Sequence, residues 1–547
     1  MKILISAFKA MIPKVSALLL GASHAQEAAD CEIDSGDIVP LRQDSLVTTL
    51  SLTGATIADI YLWRVGGSQY WLRFRDNVRV IRSPIADDAY SRIYWSGDSR
   101  VSGHVLYSYT PAVYTGGSQY PANYYKLGIP APTTSPGVAV TVAPENPNEE
   151  VRYYVYTFVG KLGEEGPPSP PSAMVSVAHE GATVVVSNLV VPSEIGSQRE
   201  ISAINIYRTV TGEESAAFVF VGTILIAQSS FTDTRSATAL SGVLATTSYD
   251  PPRQGMSGLG ITSHGVAYGF LGKIVCFSEL FLPYAWPRGY ELTTFDDIVA
   301  IGHYDYHLIV GTNGRPVMIT GQDPSSMSMQ ELPIVEACAS PRSMVSMGWC
   351  AIYASPNGLV MATASGARLV TEGIFGRREW DAINPSSIHA YEYKGKYLFF
   401  WKASSTEKGG FIFDPRSPES GILATSSWYS SGTRDITTDT LHLLDESGHV
   451  YKWDGGTANR SATWRSRRHR LEAPASFSAC RVRADTYDSV TASVYADGEL
   501  VHSQQVYSDD AFRLPRVGRA KEWEVEVQTT DRVRIIGLAE SVSELQR

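Results

Sequence analysis

The residues from Arg460 to Arg470 form the densest group of cations in the chain, with five arginines in eleven positions. A guanidinium group binds a carboxylate or a phosphate through two parallel hydrogen bonds, so this group could contact an acidic protein or a nucleic acid. The ordinary alternative is a strand or connector whose arginines pair with nearby acids or with water. The candidate residues for contact with a partner protein or DNA are Arg465, Arg467, Arg468 and Arg470.

A second group, His303-Tyr304-Asp305-Tyr306-His307, holds two imidazoles four positions apart. On a helix this spacing would place both rings on one face, where they could share a metal ion. The segment leads into a β-rich run, however, and residues four apart on one strand lie ~13 Å from each other. Because that separation is too long for two ligands of one ion, the sequence predicts no metal site here.

Adjacent acids could be offered as the carboxylates of a glycosidase. Examples are Asp87-Asp88, Glu164-Glu165, Asp296-Asp297 and Asp509-Asp510. A retaining glycosidase needs two carboxyls that converge at ~5 Å, whereas adjacent residues of a strand point to opposite faces. Several pairs also lie beside turn-forming residues, which favours solvated loop charge. No nucleophile elbow or phosphate-binding glycine loop is present. The sequence therefore predicts a protein that is not an enzyme and holds no cofactor and no metal.

Charge and cysteine content disfavour several further classes. The net charge of −10 would repel a phosphate backbone, which argues against sequence-specific nucleic-acid binding. The five cysteines are scattered singly, without a Cys-x-x-Cys pair, and are expected to be reduced and mostly buried. No run approaches the ~20 apolar residues of a membrane-spanning helix.

Residues 1–25 imitate a secretory signal, with early lysines and an apolar run at positions 17–20. Lys9, Pro13 and Lys14 interrupt the would-be apolar core and leave it shorter than the ~7–15 residues that such a signal needs. We therefore expect this segment to belong to the folded protein.

The elements that would position these residues are strands. Two apolar runs joined by a Gly, Asn or Ser turn recur about every 40–47 residues, which is the length of one propeller blade. The copies are residues 266–270 with 274–277, 306–310 with 317–319, 350–353 with 359–361, 397–401 with 410–413, and 441–444 with 450–453. Residues 58–63 and 69–75 form a similar hairpin. The apolar positions lack helical spacing, so the pattern predicts a β-propeller closed by strands from both ends of the chain.

Composition changes mark the remaining domains. The proline-rich stretch 130–136 opens a region of short strands separated by Gly/Pro turns, which is typical of a β-sandwich. From position 471 onward, apolar and polar residues alternate, which indicates a β domain with one solvated face. The predicted fold is all-β: residues 1–130 contribute strands to the propeller, 131–246 form an inserted immunoglobulin- or fibronectin-III-like sandwich, 247–470 form propeller blades, and 471–547 form a C-terminal β domain.

Several segments resemble one protein family. Residues 2–15 and Ala25-Gln26-Glu27-Ala28-Ala29-Asp30-Cys31 are similar to the start of tail and virion structural proteins of short-tailed bacteriophages. Residues 92–98, 120–132 and 533–545 fit the same group. The resemblance implies a tail nozzle or tail-stabilisation protein of the virion, assembled in the host cytoplasm as a homo-oligomeric ring, usually a hexamer. Such a ring lies below the portal and adaptor, gates or guides DNA ejection, touches DNA only transiently, and brings no catalytic residues.

Two other functions stay open. One is a secreted bacterial adhesin or carbohydrate-binding propeller with a fibronectin-like module, from which residues 1–25 would be removed on export. The other is a propeller hydrolase that acts on surface polysaccharide. The intact mass of the protein would reveal the loss of residues 1–25 expected of the adhesin. Turnover of a panel of polysaccharides would reveal the hydrolase.

Overall fold

A computed structural model describes residues 1–52, 54–65, 67–99, 107–109, 124–142, 150–177, 182–193, 199–210, 217–516 and 518–546. The protein is nearly all β, with 47% of residues in strands and 5% in helices, so the predicted fold class is confirmed at this level. The chain divides into two compact units. The first comprises Met1–Trp63, Val299–Met318 and Gln330–Arg547, and the second comprises Arg64–Ile298 and Ile319–Met329.

Among the described residues, nineteen strands precede residue 234. They are β1 Lys2–Ile5, β2 Ala25–Ala29, β3 Cys31–Glu32, β4 Val39–Pro40, β5 Ser45–Thr49, β6 Asp59–Val65, β7 Ser68–Phe74, β8 Arg79–Arg82, β9 Ile93–Ser96, β10 Tyr107–Tyr109, β11 Tyr125–Lys126, β12 Gly137–Val142, β13 Glu150–Arg152, β14 Tyr154–Gly160, β15 Val175–Val177, β16 Thr183–Ser187, β17 Ile201–Thr209, β18 Phe218–Leu225 and β19 Phe231–Asp233.

The next twelve strands extend to residue 369. They are β20 Ser257–Ile261, β21 Ala267–Leu271, β22 Ile274–Phe277, β23 Leu292–Thr293, β24 Ile298–Tyr304, β25 His307–Thr312, β26 Val317–Thr320, β27 Ser328–Glu331, β28 Val345–Ser346, β29 Ala351–Ser355, β30 Gly358–Thr363 and β31 Gly366–Leu369.

Fifteen strands complete the chain. They are β32 His389–Tyr393, β33 Lys396–Lys402, β34 Lys408–Phe413, β35 Ile422–Thr425, β36 Ser431–Asp435, β37 Thr440–Leu444, β38 His449–Lys452, β39 Ala462–Ser466, β40 His469–Ala475, β41 Ala479–Ala484, β42 Val490–Ala496, β43 Glu499–Val506, β44 Phe512–Arg513, β45 Ala520–Thr529 and β46 Val533–Ala539. Short helices cover Arg377–Ala382 and Val542–Leu545, and single 3-10 turns cover Ala237–Ala239, Arg288–Tyr290, Pro324–Ser326, Pro385–Ser387 and Pro418–Ser420.

Four-stranded sheets made of consecutive strands recur along the chain. They are β8–β11, β20–β23, β24–β27 and β28–β31, and β32–β35 run consecutively within a larger sheet. The sheet of β36, β37 and β38 gains its fourth strand, β5, from near the N-terminus, with Val450 opposite Thr48. Each predicted pair of apolar runs forms two neighbouring strands, so the predicted hairpins are confirmed.

Residues 1–29 contribute strands to two sheets of the first unit, one of which is the largest. Strand β2 lies between β35 and β39, parallel to the former and antiparallel to the latter. Strand β1 pairs with β46 in a second sheet. Phe8, 2% exposed, packs edge-on against Trp464 with ring centroids 4.9 Å apart. The indole nitrogen of Trp464 also donates a hydrogen bond to the carbonyl of Lys9 at 3.1 Å. This segment therefore supplies two strands and several core side chains.

Strands β39, β45, β42 and β43 continue the largest sheet in this order, whereas β41, β44 and β46 belong to the second sheet with β1. The burial of β42 alternates at every residue, with Val490, Ala492 and Val494 buried and Thr491 and Ser493 partly exposed. This period of two is what the alternating sequence predicts for a sheet with one solvated face.

The described residues between positions 137 and 233 in the second unit form three small sheets around one core. The sheets are β12-β16-β19, β13-β15 and β14-β17-β18. Inside this region, the Tyr154 hydroxyl and the Arg208 guanidinium each donate a hydrogen bond of 2.8 Å to Asp233, whose side chain is fully buried. Because a buried carboxylate is costly without partners, these bonds hold β14, β17 and β19 in one arrangement.

The five cysteines are buried and none forms a disulfide, so their predicted burial is confirmed.

Candidate partner-contact site

The four candidate arginines lie on β39, on β40 and in the turn between these strands. Along β39 the alternate residues Ala462, Trp464 and Ser466 are buried, which directs Arg465 to the other face. Arg467 and Arg468 form the turn, and Arg470 lies on β40, directly opposite Glu522 of β45.

Glu524 of β45 is the acidic counterpart of this cluster, and only 1% of its side chain is exposed. Arg465 Nη2 lies 2.8 Å from its carboxylate, and Arg468 Nε donates to it at 2.7 Å. Gln26 Nε2 of β2 donates a further hydrogen bond of 2.7 Å. Burial alone would raise the pKa of the Glu524 carboxyl, but the Gln26 and Arg468 hydrogen bonds and the Arg465 charge hold it below its usual value. Two of the candidate cations are therefore part of an internal ion-pair network.

The other two arginines differ from each other. Arg467 is partly buried, and its Nη1 donates to the carbonyl of Leu20 at 3.0 Å. Burial, with the neighbouring charge of Arg467, lowers the pKa of His469 to about 4, so this ring is neutral at pH 7. Arg470 is exposed. Contact of a partner or DNA through the four residues stays a prediction, and the geometry leaves Arg470 the most accessible of them.

Arg465 and Arg468 are expected to stabilise the fold, in contrast to Arg470. Changing Arg465 or Arg468 to glutamine removes a charged hydrogen-bond donor from buried Glu524, and we expect about 1–2 kcal/mol less unfolding free energy for each, after allowing for their partial exposure. The matched change Arg470→Gln should alter it by no more than about 0.5 kcal/mol. Urea unfolding measures all three. Equal effects at the three positions would contradict the network.

The histidine pair has a different geometry from the one that the sequence suggested. His303 lies on β24 and His307 on β25, and Asp305 has a φ of 47° in the turn between them. The assumption of one continuous strand is therefore wrong, because the chain reverses direction. His307 stacks on Tyr304 at 5.1 Å. Within the described ranges, no group of three or more His, Cys, Asp or Glu side chains is placed to hold a metal ion.

The expectation that the paired acids are solvated is wrong for Asp88 and Glu164. Arg92 lies between them, with Nε 3.0 Å from Asp88 and Nη1 3.1 Å from Glu164, and all three side chains are at most 7% exposed. Burial raises the pKa of Glu164 to about 7, although the Arg92 charge opposes this shift. These carboxylates are used in a buried ion-pair network of the second unit.

Arg460, which precedes the candidate residues, has a structural role that the sequence did not reveal. Its Nη1 lies 3.1 Å from Asp30 and its Nη2 lies 2.6 Å from Asp44, and all three side chains are at most 8% exposed. The guanidinium also stacks over the ring of Trp453 at 4.4 Å. Its partners lie about 400 positions earlier, so no local sequence signal could have identified them.

No helix among the described residues is long and apolar enough to cross a membrane.

The class that fold and site define is a nearly all-β protein with internally paired arginines, and comparison with known proteins adds little to it. No protein family matches the chain, and no curated protein matches it. Among solved structures, the extracellular domain of a hybrid two-component system of B. thetaiotaomicron is 8% identical with a TM-score of 0.28. The match covers 87% of this chain and 48% of that one, so this chain spans about half its length.

Two further solved structures are similar over large parts of the chain. The Pan2 WD40 domain of Neurospora crassa is 9% identical with a TM-score of 0.25, over 59% of this chain and 95% of that one. An exo-β-1,3-galactanase of Phanerochaete chrysosporium is 8% identical with a TM-score of 0.17. The match covers 91% of this chain and 100% of that one. At such scores the likeness identifies neither a common fold nor a common activity.

Proposed function

We propose that this chain is a non-enzymatic structural subunit of the tail of a short-tailed bacteriophage. In this role it forms a nozzle-like homo-oligomeric ring, a hexamer by family resemblance, below the portal and adaptor, and it supports or gates DNA ejection. It is assembled in the host cytoplasm and stays in the virion. The support comes from the resemblance of its N-terminal segments to such proteins and from the integration of residues 1–29 into the first unit.

The observation that carries the proposal is the integration of residues 1–29 into the first unit. The segment that resembles the start of phage structural proteins supplies β1, β2 and the buried residues Phe8, Met11, Ala25 and Ala28. In the alternative function, a secreted adhesin would lose residues 1–25 on export. Removing them would delete β1 and the start of β2, and would uncover Trp464. A virion protein that is never exported retains them.

The finer architecture is part of the same proposal. The recurring four-stranded sheets have the strand number and spacing of propeller blades. The supply of β5 to the sheet of β36–β38 is the kind of closure by both chain ends that stabilises propellers. The three small sheets around the core of residues 137–233 suit an immunoglobulin- or fibronectin-like insert. Strands β41–β46 lie within residues 471–547, the proposed C-terminal β domain.

The contacts of the buried carboxylates, the side chains that could otherwise act in catalysis, also fit a structural role. The buried carboxylates Asp88, Glu164, Asp233 and Glu524 each face an arginine at 3.1 Å or less. Such pairs fix the positions of strands.

Mass spectrometry of particles released by cells that carry the gene tests this proposal. We expect the chain to co-purify with the particles at a fixed ratio to the portal subunit and to contain peptides from residues 2–25. A chain found only as free protein in the medium, beginning after residue 25, would instead support the secreted adhesin.

A further inference from the structure

The end of β44, the loop that follows it and the start of β45 carry a group of cations separate from the candidate arginines. We call Arg513, Arg516, Arg519 and Lys521 the basic loop, and all four are exposed. Both ends of the loop are attached to one stretch of chain, since Arg513 pairs with Ala479 and Ala520 pairs with Ala475. Four residues of extended chain span ~13 Å, so the ends of the loop are held close together.

The cations of the basic loop lack the carboxylate partners that other arginines of this region have. Arg465 and Arg468 face Glu524, and Arg481 lies 2.6 Å from Asp509. Within the described part of the chain, no ion pair involves a residue of the basic loop.

Two acids next to the basic loop already have other partners. Asp497 accepts hydrogen bonds from the backbone amides of Lys521 and Glu522, and Glu522 itself lies 3.5 Å from Arg468. The four cations of the basic loop therefore have no carboxylate partner among the described residues.

The surroundings of these cations favour a polyanion over a protein partner. Protein interfaces are centred on buried aromatic or aliphatic anchors. Among the described apolar residues of the loop, Leu514 and Ala520 are 7% and 4% exposed and only Pro515 is exposed, so they offer no aromatic or large aliphatic anchor. Long, exposed, unpaired arginines instead suit phosphate groups, which they bind through charge and paired hydrogen bonds.

We propose that the basic loop binds the phosphate backbone of duplex DNA without reading its sequence. The identity of that DNA as a genome in transit rests on the proposed function, whereas the binding itself does not. Transient contacts of this kind would support a moving duplex without holding it.

The net charge of −10 does not oppose this contact. Residues 461–547 contain 13 Lys and Arg and 13 Asp and Glu, so the excess of acid belongs to residues 1–460. Charges further away than the Debye length, about 8 Å at physiological salt, are largely screened. The local potential at the loop is therefore set by its own cations and by nearby acids such as Asp497 and Glu522.

Fluorescence anisotropy of a labelled 30-base-pair duplex with the intact chain tests the proposal between 50 and 200 mM NaCl. Four phosphate contacts predict a slope of log K against log salt of about −3.6. The variant R513Q/R516Q/R519Q/K521Q should bind at least about tenfold more weakly at 50 mM NaCl, with a slope near zero. The matched control K2Q/K161Q/R368Q/R378Q removes four exposed cations elsewhere and the same total charge, and it should bind like the unmodified chain.

Three results would overturn the proposal: no DNA binding by the unmodified chain at 50 mM NaCl, unchanged binding by the loop variant, or equal loss in the control. Light scattering on the same samples measures the oligomeric mass and tests the alternative that the loop contacts a second copy of this chain. If the loop variant lowers the oligomeric mass and leaves DNA binding unchanged, the loop is instead an interface between copies. Particle incorporation is measured separately, so this proposal and the proposed function can fail independently.

Discussion

Replacing Arg460 with methionine is expected to lower the free energy of unfolding by about 3–5 kcal/mol, the cost of removing one partner from a buried ion-pair network. The reason is that Asp30 and Asp44, 5% and 8% exposed at their side chains, would stay charged without their cation. Methionine keeps much of the apolar length of the side chain, so the loss reports charge more than volume. Denaturant unfolding followed by tryptophan fluorescence measures it.

Two controls separate the network from a general effect of losing an arginine. Arg377, whose side chain is 73% exposed and lies 3.5 Å from Asp381, should lose no more than about 1 kcal/mol when changed to methionine. Adding Asp30→Asn and Asp44→Asn to Arg460→Met should recover part of the lost stability, because neutral amides cost less to bury than unpaired carboxylates. Equal losses for Arg460→Met and Arg377→Met would contradict the buried network.

The variant Phe8→Ala is expected to lose about 3–5 kcal/mol, the usual cost of truncating a buried aromatic side chain. Phe8 lies within the segment that imitates a secretory signal, and it contacts Trp464 across the core of the first unit. The matched control is Leu19→Ala in the same segment, because Leu19 is 79% exposed and should change stability by no more than about 0.5 kcal/mol.

Thermal and urea unfolding of both variants measure this difference. A large loss at Phe8 with none at Leu19 is expected if residues 1–29 are a structural element. Two variants as stable as the unmodified chain would mean that the segment contributes nothing to the fold, as in a leader that is removed.

Local sequence patterns predicted the strands well because the β period is a local property. Apolar runs flanking turn residues, such as residues 350–353 and 359–361, pair as predicted, since the turn itself fixes which runs meet. The all-β class followed from these runs. The pairing of β5 with β38 and of β2 with β35 and β39 joins residues hundreds of positions apart, and no local pattern encodes such partners.

The charged residues were harder to interpret for the same reason. The arginines near position 465 were recognisable as a cluster, but Glu524, which neutralises two of them, lies about 60 residues further along the chain. The cations at 513–521 are more dispersed and form no obvious cluster in the sequence. Only the structure separates cations that form ion pairs from those that do not. The prediction that the histidine segment leads straight into one strand is wrong because the chain turns at Asp305. The positive φ of this residue is a conformation that Asp tolerates better than most residues.

Electron cryomicroscopy of purified particles tests the central claim most directly. The account predicts a ring of density below the portal and adaptor into which this chain fits, repeated around the tail axis, with residues 1–29 inside the fold. Particles made without the gene should lack that density and fail to eject their DNA. A complete tail in particles made without the gene, with no density that fits this chain, would contradict the account.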